Sequence, residues 1–208
     1  MTEFARPMVS LGFTAELFPP GTHMCYLYND EQERLEIMSA FVRSGIEAGE
    51  KIAYFVEEMS PQALRDYFAD LGIVPAEEAQ LDIDPSVEVY CPDGRFSPDR
   101  MLGRLRSAYE DGIRDGFGGV RLTGEMHWAL RGLPGSERLA EYESRINLLV
   151  VDCPLTVICQ YDANHFDGAT LFKVLNAHPM MIVRGQVVHN PYYLPPQEYF
   201  ARYPAPNA

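Results

Sequence analysis

The segment Ile52-Ala-Tyr-Phe-Val56 (IAYFV) is an almost continuous apolar run. A strand with one solvent-facing side alternates apolar and polar residues, whereas a strand covered on both faces is apolar along its length. Strands of the second kind lie in mostly parallel sheets that carry helices on both sides. This segment therefore favours an α/β fold.

Strand-like and helix-like segments alternate along the rest of the chain. Strands are predicted over residues 24–28, 52–56, 87–90, 119–123 and 155–161, and helices over residues 31–48, 61–72, 98–116, 136–151 and 166–178. Asp30 and Ser60-Pro61 are typical of helix starts, and Gly49 is typical of a helix end. Alternation of this kind predicts a mostly parallel sheet that is flanked by helices.

The edge of the sheet is predicted to be a hairpin. Residues 181–183 and 186–189 flank Arg184-Gly185, a pattern typical of two antiparallel strands joined by a tight turn. No internal repeat and no linker divides the chain. The fold class is therefore a single α/β domain over residues 1–208, with a mostly parallel sheet and an antiparallel edge hairpin.

The composition is that of a folded, acidic protein. Hydrophobic residues make up 47% of the 208 residues, which is enough to bury a sizeable core. The 30 acidic and 17 basic residues give a formal net charge of −13, which disfavours direct binding to nucleic acid or to an anionic membrane. There is no signal-peptide pattern, no apolar stretch of membrane-spanning length and no disulfide framework. We therefore expect a cytoplasmic protein with reduced thiols.

The end of the chain, residues 190–208, is rich in proline and tyrosine. It contains more aromatic residues than a free tail would expose. We expect it to form an extended arm that packs on the domain or on a second copy of the chain. The second arrangement would make the protein a homodimer.

Carboxylates follow the predicted strands at their carboxyl ends, where open α/β sheets bind their ligands. The segments at these ends are Asn29-Asp30, Glu57-Glu58, Thr123-Gly-Glu125 and Tyr161-Asp162. A solvated acidic rim would explain any single carboxylate. In Val120-Arg-Leu-Thr-Gly-Glu-Met-His-Trp-Ala-Leu130, however, Glu125 and His127 lie beside the only tryptophan, Trp128. This grouping favours the wall of a pocket.

Motifs for nucleotide hydrolysis and for nucleophilic catalysis are absent. The chain has no GxxxxGK[ST], GxGxxG or GxSxG motif and no recognisable Cys/His/Asn set. After the first predicted strand, Tyr28-Asn-Asp-Glu-Gln-Glu-Arg34 is acidic and lacks glycine, so it would repel a triphosphate. ATP hydrolysis is therefore not expected.

A metal or haem site on His23, Cys25 and Cys159 is an alternative to a cofactor-free protein. His23 and Cys25 share one strand face, Cys159 lies on another central strand, and such a trio could ligate zinc or haem. Yet no CxxC or HxxxH spacing occurs, and buried cysteine is common as a small hydrophobic residue. We therefore expect no cofactor.

Two arginines, Arg121 and Arg145, lie within otherwise apolar elements. A buried carboxylate without a partner is costly. We expect these arginines to pair with Glu125 or Glu143 and to fix the shape of the pocket.

Short motifs are spread along the chain at His23-Met-Cys-Tyr-Leu-Tyr28, Gly49-Glu-Lys-Ile-Ala-Tyr54, Asp93-Gly-Arg-Phe-Ser-Pro98, Arg121-Leu-Thr-Gly-Glu-Met-His-Trp-Ala-Leu130, Glu141-Tyr-Glu143, Cys159-Gln-Tyr-Asp162, His178-Pro179 and Asn190-Pro-Tyr-Tyr193. Together they resemble the MEDS domain, a sensory domain named for methanogens, methylotrophs and the dichloromethane regulator DcmR. The resemblance covers roughly residues 15–200. It implies a core similar to RecA and KaiC that has lost the phosphate loop, and a role in sensing small organic molecules. Family members usually sit beside DNA-binding, kinase or phosphatase modules. No such module is found in this sequence, so we expect a separate partner.

The sequence therefore predicts a non-catalytic sensory domain that binds a small, largely apolar organic ligand. It would signal through a separate kinase, phosphatase or transcription factor. The residues expected at the ligand are His23, Cys25, Glu57, Arg121, Glu125, His127, Trp128, Tyr142, Cys159 and Tyr161. One alternative is an enzyme that uses Glu57, Glu125 and His127 as acid–base groups. Another is a protein-interaction module that acts through the C-terminal arm.

Overall fold

A computed structural model describes residues 7–204. The strands are β1 (Val9–Ser10), β2 (Leu17–Phe18), β3 (His23–Tyr28), β4 (Lys51–Val56), β5 (Leu81–Pro85), β6 (Val120–Glu125), β7 (Thr156–Asp162), β8 (Met180–Val183) and β9 (Gln186–His189). The helices are α1 (Glu31–Glu47), α2 (Pro61–Asp70), α3 (Ser86–Tyr90), α4 (Pro98–Arg114), α5 (Leu139–Asp152), α6 (Gly168–Ala177) and α7 (Pro196–Arg202). A 3-10 helix, Met126–Arg131, follows β6 directly.

One sheet of seven strands organises the described part of the chain, in the order β5-β4-β6-β7-β3-β8-β9. Every neighbouring pair from β5 to β8 is parallel, and β8 pairs with β9 in the antiparallel sense. Strands β1 and β2 form a separate antiparallel ribbon. The predicted parallel α/β sheet with an antiparallel edge hairpin is therefore confirmed. Across residues 7–204, no helix has both the length and the apolar character needed to cross a membrane.

Helices cover both faces of the sheet, as the apolar strand β4 indicates. Helices α1 and α2 pack on one face, where Met24 and Tyr54 point. Helices α4, α5 and α6 pack on the other face, where Cys25 and Phe55 point. Because consecutive residues of a strand point to opposite faces, each central strand contributes to both cores.

The predicted helix starts are confirmed by their capping hydrogen bonds. The backbone N–H of Glu33 donates to Asp30 Oδ1 over 2.8 Å, and the N–H of Ala63 donates to Ser60 Oγ over 3.1 Å. At the other end of α1, Gly49 has a φ of 69°, in the region that favours glycine. Both helix starts follow the carboxyl ends of strands, so these caps help to shape the candidate site.

The predicted strand over residues 87–90 is wrong, because these residues belong to helix α3. The strand in that region is β5, Leu81–Pro85, at the edge of the sheet. The short alternating pattern of residues 87–90 fits a strand, but the same residues also bury Val89 and Tyr90 when they form helix α3. Burial against the neighbouring aromatic residues therefore decided the structure of this segment.

The C-terminal arm is not extended as predicted, because it contains helix α7. The arm does pack on the domain: Tyr199 is buried, and the hydroxyl of Tyr203 donates to Asn176 Oδ1 over 3.0 Å. The end of the predicted arm, residues 205–208, and the first six residues of the predicted domain lie outside the described residues. The homodimer stays a prediction.

Candidate functional site

Glu125 ends strand β6 and is buried, with hydrogen bonds to both carboxylate oxygens. Its Oε1 accepts from Arg34 Nη1 over 2.7 Å and from the Tyr54 hydroxyl over 3.3 Å. Its Oε2 accepts from the backbone N–H groups of Glu57 and Glu58, over 2.7 and 2.8 Å. Glu125 therefore ties together three elements: β6, α1 and the loop after β4.

The cation beside Glu125 is Arg34, from the first turns of α1. The guanidinium also donates to Gln160 Oε1 over 2.9 Å and forms an ion pair with Glu31. Burial raises the pKa of Glu125 above its ordinary value, against the opposing charge of Arg34 and the two backbone N–H groups. The carboxylate is thus held by fixed donors in an environment that disfavours its charge.

The prediction that Arg121 or Arg145 would pair with Glu125 or Glu143 is wrong. Arg121 forms an ion pair with Glu50, and Arg145 forms one with Asp99. Arg121 lies four residues before Glu125 on the same strand, a separation of about 13 Å. It therefore sits at the amino-terminal end of the sheet, whereas Arg145 is on α5 and packs on the opposite face.

The junction between β3 and α1 occupies the position where a phosphate loop would lie. Only Asn29 and Asp30 connect the two elements, and the Asp30 carboxylate already accepts the N–H of Glu33. Glu31 and Glu33 add negative charge to the first turn of the helix. An anion at this helix start would meet carboxylates instead of free N–H groups.

The loops after the strands carry a second, more exposed polar group. Glu58 Oε1 lies 2.5 Å from His127 Nδ1, and Asp162 Oδ2 lies 2.8 Å from His165 Nδ1. The rings of His127 and His165 are 4.7 Å apart, and these two histidines and Asp162 are close enough together to ligate one ion. Glu57 forms an ion pair with Arg131. The predicted acidic rim is therefore largely paired with basic side chains.

Trp128 lies inside the core instead of lining an open pocket. Its side chain is fully buried and stacks on Tyr90, with ring centroids 4.8 Å apart and an interplanar angle of 14°. Phe96 and Tyr142 complete an aromatic cluster with these two residues. Among the described residues, the indole Nε1 has no hydrogen-bond partner. A buried donor without an acceptor is unusual and calls for an explanation.

Two cavities bear on ligand binding. A void of about 10 Å³, the space of one water-sized sphere, lies between the sheet and helices α4 and α5. It is lined by Phe55, Tyr90, Leu105, Leu122, Thr123, Gly124, Tyr142, Val157 and Cys159. A more open cleft of about 490 Å³ lies at the amino-terminal end of the sheet and includes Arg121, Glu50 and Phe117.

Beneath α5, four buried side chains from separate elements converge. His23 starts β3, Cys159 lies on β7, Glu143 is on α5 and His178 follows α6. Glu143 Oε2 lies 3.2 Å from His23 Nε2, 3.3 Å from His178 Nε2 and 3.3 Å from Cys159 Sγ. Cys159 Sγ is 3.5 Å from His23 Nε2. We call these four residues the His23 cluster.

The surroundings of the His23 cluster perturb its acid–base behaviour. The Tyr161 hydroxyl donates to Glu143 Oε1 over 2.5 Å. Although burial opposes ionisation of Glu143, the adjacent His178 and His23 hold its pKa below the ordinary value. Burial and the neighbouring His178 lower the pKa of His23, whereas burial and the Glu143 charge raise that of Cys159.

The structure places the ten predicted site residues in separate environments. His23, Cys159 and Tyr161 come together around Glu143, with Cys25 beside them on the same strand face. Trp128 and Tyr142 share the aromatic cluster. Glu57 meets Glu125 only through its backbone N–H. Arg121 lies at the other end of the sheet, and His127 is in the rim.

Sequence reasoning missed Arg34 and the joint role of Glu143 and His178. Arg34 shares a helical face with Met38 and Phe41, and Glu143 lies on the apolar stripe of α5, so each places a charge on a buried face. That signal was available in the sequence. His178 stood out only through the His178-Pro179 motif, and nothing in that motif indicated Glu143 as its neighbour, because the position of His178 depends on how α6 ends against the sheet.

The fold and site define an α/β protein of the RecA/KaiC-like class. In this chain, acidic residues occupy the position of the phosphate loop. The family model of the MEDS domain, the MEthanogen/methylotroph, DcmR Sensory domain, matches residues 22–179. The chain belongs to this family.

The chain is also similar to a curated protein and to a solved structure. The chain is 26% identical over 163 residues to the transcriptional repressor DcmR of Methylorubrum extorquens (strain DSM 6343 / CIP 106787 / DM4), a match that covers 75% of this chain. The match spans only 57% of the length of the repressor. A KaiC-like protein from Pyrococcus horikoshii OT3 aligns with a TM-score of 0.61 and 15% identity, over 84% of this chain and 79% of that one. This second likeness shows the fold alone.

Proposed function

We propose that this MEDS chain is a non-catalytic sensory domain whose ligand, a small apolar organic molecule, binds in its interior. The site is the void between the sheet and helices α4 and α5. The observation that carries this proposal is Tyr90, which lines the void and also stacks on Trp128, so a ligand in the void would contact the side chain that packs on the indole.

Ligand binding at this site must move side chains. The void holds about one water-sized sphere, so a larger molecule enters only when part of its lining shifts. Tyr90 belongs to the five-residue helix α3, which is followed by the Cys91–Gly94 turn. A shift of Tyr90 would be transmitted to Trp128 and to the 3-10 helix that carries it. Coupling between binding and conformation is the property that a sensor requires.

A binding role is favoured over catalysis by the state of the candidate acid–base groups. Glu125 is held by Arg34 and two backbone N–H groups, Glu57 pairs with Arg131, and His127 pairs with Glu58. A general base needs a free lone pair directed at a substrate. The pairing of these groups therefore supports the sensory function.

The output partner is proposed to be a separate regulatory protein. The DcmR relative is a transcriptional repressor, and the match covers 57% of its length. The net charge of −13 disfavours direct contact with nucleic acid. A transcription factor, a kinase or a phosphatase that docks on this chain would supply the output.

Fluorescence of the single tryptophan tests the ligand site. We would titrate the protein with dichloromethane, benzene and 1-propanol and expect at least one of them to change the Trp128 emission saturably. In Gly124→Ala, the added Cβ would lie 2.4 Å from the Tyr90 hydroxyl and occupy the void, so the affinity should fall about tenfold or more. Gly103→Ala is the matched control, since nothing lies within 4 Å of its Cβ.

Two results would overturn the proposal. A flat titration for every compound, by emission and by calorimetry, would reject small apolar ligands of this kind. Equal affinity in Gly124→Ala and Gly103→Ala would move the site elsewhere, with the 490 Å³ cleft as the next position to test.

A further inference from the structure

The His23 cluster presents several lone pairs to one point. The His178 Nδ1 atom is 2.8 Å from the backbone oxygen of Val174, which can only accept, so Nδ1 carries the hydrogen. The Nε2 atom of neutral His178 is then a bare acceptor. It faces Glu143 Oε2 at 3.3 Å and has no hydrogen-bond partner among the described residues.

His23 is oriented in the same way. The Asn147 side-chain nitrogen donates to the backbone oxygens of Ala177 and Ser144, over 2.7 and 3.2 Å. The Asn147 oxygen is therefore the atom that accepts from His23 Nδ1, 3.1 Å away. His23 Nε2 is left as a second acceptor, directed at the same oxygen of Glu143. Fixing Nδ1 by an outer acceptor is how proteins orient histidine ligands of metals.

Four of the six spacings between these atoms match the edges of a tetrahedral zinc site. Zinc bonds of about 2.0–2.3 Å to nitrogen, oxygen and sulfur imply distances of about 3.3–3.6 Å between ligand atoms. These four separations are 3.2, 3.3, 3.3 and 3.5 Å. All four candidate ligand atoms lie within 4.8 Å of one another. This arrangement has room for a single ion and none for a porphyrin.

We propose that His23 Nε2, Glu143 Oε2, Cys159 Sγ and His178 Nε2 bind one Zn²⁺ ion in a closed, four-coordinate structural site. The zinc site adjoins the ligand site proposed above, because Cys159 also lines the void, but the two proposals rest on different observations. Four protein ligands without an open position are typical of structural zinc. Cys25 is outside the set, since its Sγ is directed at the backbone oxygen of Met180, 3.8 Å away.

Charge balance favours this occupant. Binding displaces the proton of the Cys159 thiol, and any proton on the two imidazoles, into solvent. One thiolate, one carboxylate and two neutral imidazoles then neutralise a divalent cation in the interior. The Tyr161 hydroxyl remains bonded to the other oxygen of Glu143 and orients it. The ion would join β3, β7, α5 and the end of α6.

The experiment measures metal in the purified full-length protein by elemental analysis. We expect about one zinc per chain. Because all four side chains are buried, the ion should resist a chelator in the native state and be lost on unfolding with the chelator present. Refolding with Co²⁺ in place of zinc should give the intense visible spectrum of a tetrahedral site and a sulfur-to-cobalt charge-transfer band.

Cys159→Ser and Cys25→Ser form a matched pair. The two cysteines are direct neighbours in the β3–β7 register, point to the same face and are both buried. Cys159→Ser should lose the charge-transfer band and at least tenfold in zinc affinity, whereas Cys25→Ser should keep both. His178→Gln should lower zinc content in the same way.

The wild-type measurements do not depend on whether a variant folds. Absence of stoichiometric zinc or cobalt after refolding with either metal would overturn the proposal and leave a proton-bridged cluster. Equal loss of the cobalt band in Cys25→Ser and Cys159→Ser would exclude Cys159 as the specific ligand and overturn it as well.

Discussion

Arg34 Nη1 lies 2.7 Å from Glu125 Oε1, and both side chains are almost completely buried. The two residues are far apart in the chain and join the first turns of α1 to the end of β6. This pair links the helix start that replaces a phosphate loop to the loop after β4. The pair therefore holds these elements together at the carboxyl-terminal edge of the sheet.

Breaking this pair should destabilise the protein strongly. Arg34→Met leaves a buried carboxylate with no cation, so we expect a loss of about 3–5 kcal/mol in the free energy of unfolding, measured by urea titration. The control is Arg145→Ala. Of its two partners, Asp99 is exposed and Glu141 keeps its ion pair with Arg138, so the loss should cost less than about 1 kcal/mol. Similar losses in both variants would show that Glu125 does not depend on Arg34.

The protein should not use ATP. The Asp30 carboxylate caps α1 and Glu31 lies in its first turn, so the N-terminal charge that would attract phosphate is already neutralised. We expect calorimetry with Mg-ATP to show no binding at a Kd of about 1 mM or tighter, and no phosphate release. Saturable binding accompanied by hydrolysis would contradict this prediction.

The cysteines should react slowly in the native protein. All four are buried and free. Burial also raises the pKa of Cys91 and of Cys153, which lowers the thiolate fraction at neutral pH. We expect a thiol reagent at pH 8 to modify all four only after unfolding in the presence of a chelator. Rapid modification of Cys91 or Cys153 in the native state would mean that the turn or helix end around it opens readily.

Helix α7 should stabilise the domain. Tyr199 is 3% exposed and its truncation leaves a cavity, so Tyr199→Ala should reduce the free energy of unfolding by about 3 kcal/mol. The matched variant Tyr192→Ala removes a side chain that is 54% exposed and should cost less than about 1 kcal/mol. Thermal unfolding of the two variants compares them directly. Equal melting temperatures would show that Tyr199 contributes no more stability than Tyr192 and would contradict this prediction.

The sequence alone determined the elements whose signals are local. The apolar run of β4, the caps at Asp30 and Ser60 and the turn at Arg184-Gly185 each depend on a few adjacent residues, and the structure has all of them. The absence of a phosphate loop could also be predicted from the sequence, because this motif lies within one short segment. The α/β class followed from the alternation of such segments.

Only the tertiary structure decided which charged residues meet. Glu125 was expected to pair with an arginine near it in sequence or on α5, yet α1 runs antiparallel to β6 and delivers Arg34 instead. Likewise, the sequence indicated His23 and Cys159 but could not join them to Glu143 and His178, which come from helices packed on the same face. Strand register and helix packing are set by burial over the whole core, so long-range polar partners follow from the sum of many apolar contacts and carry no local signature.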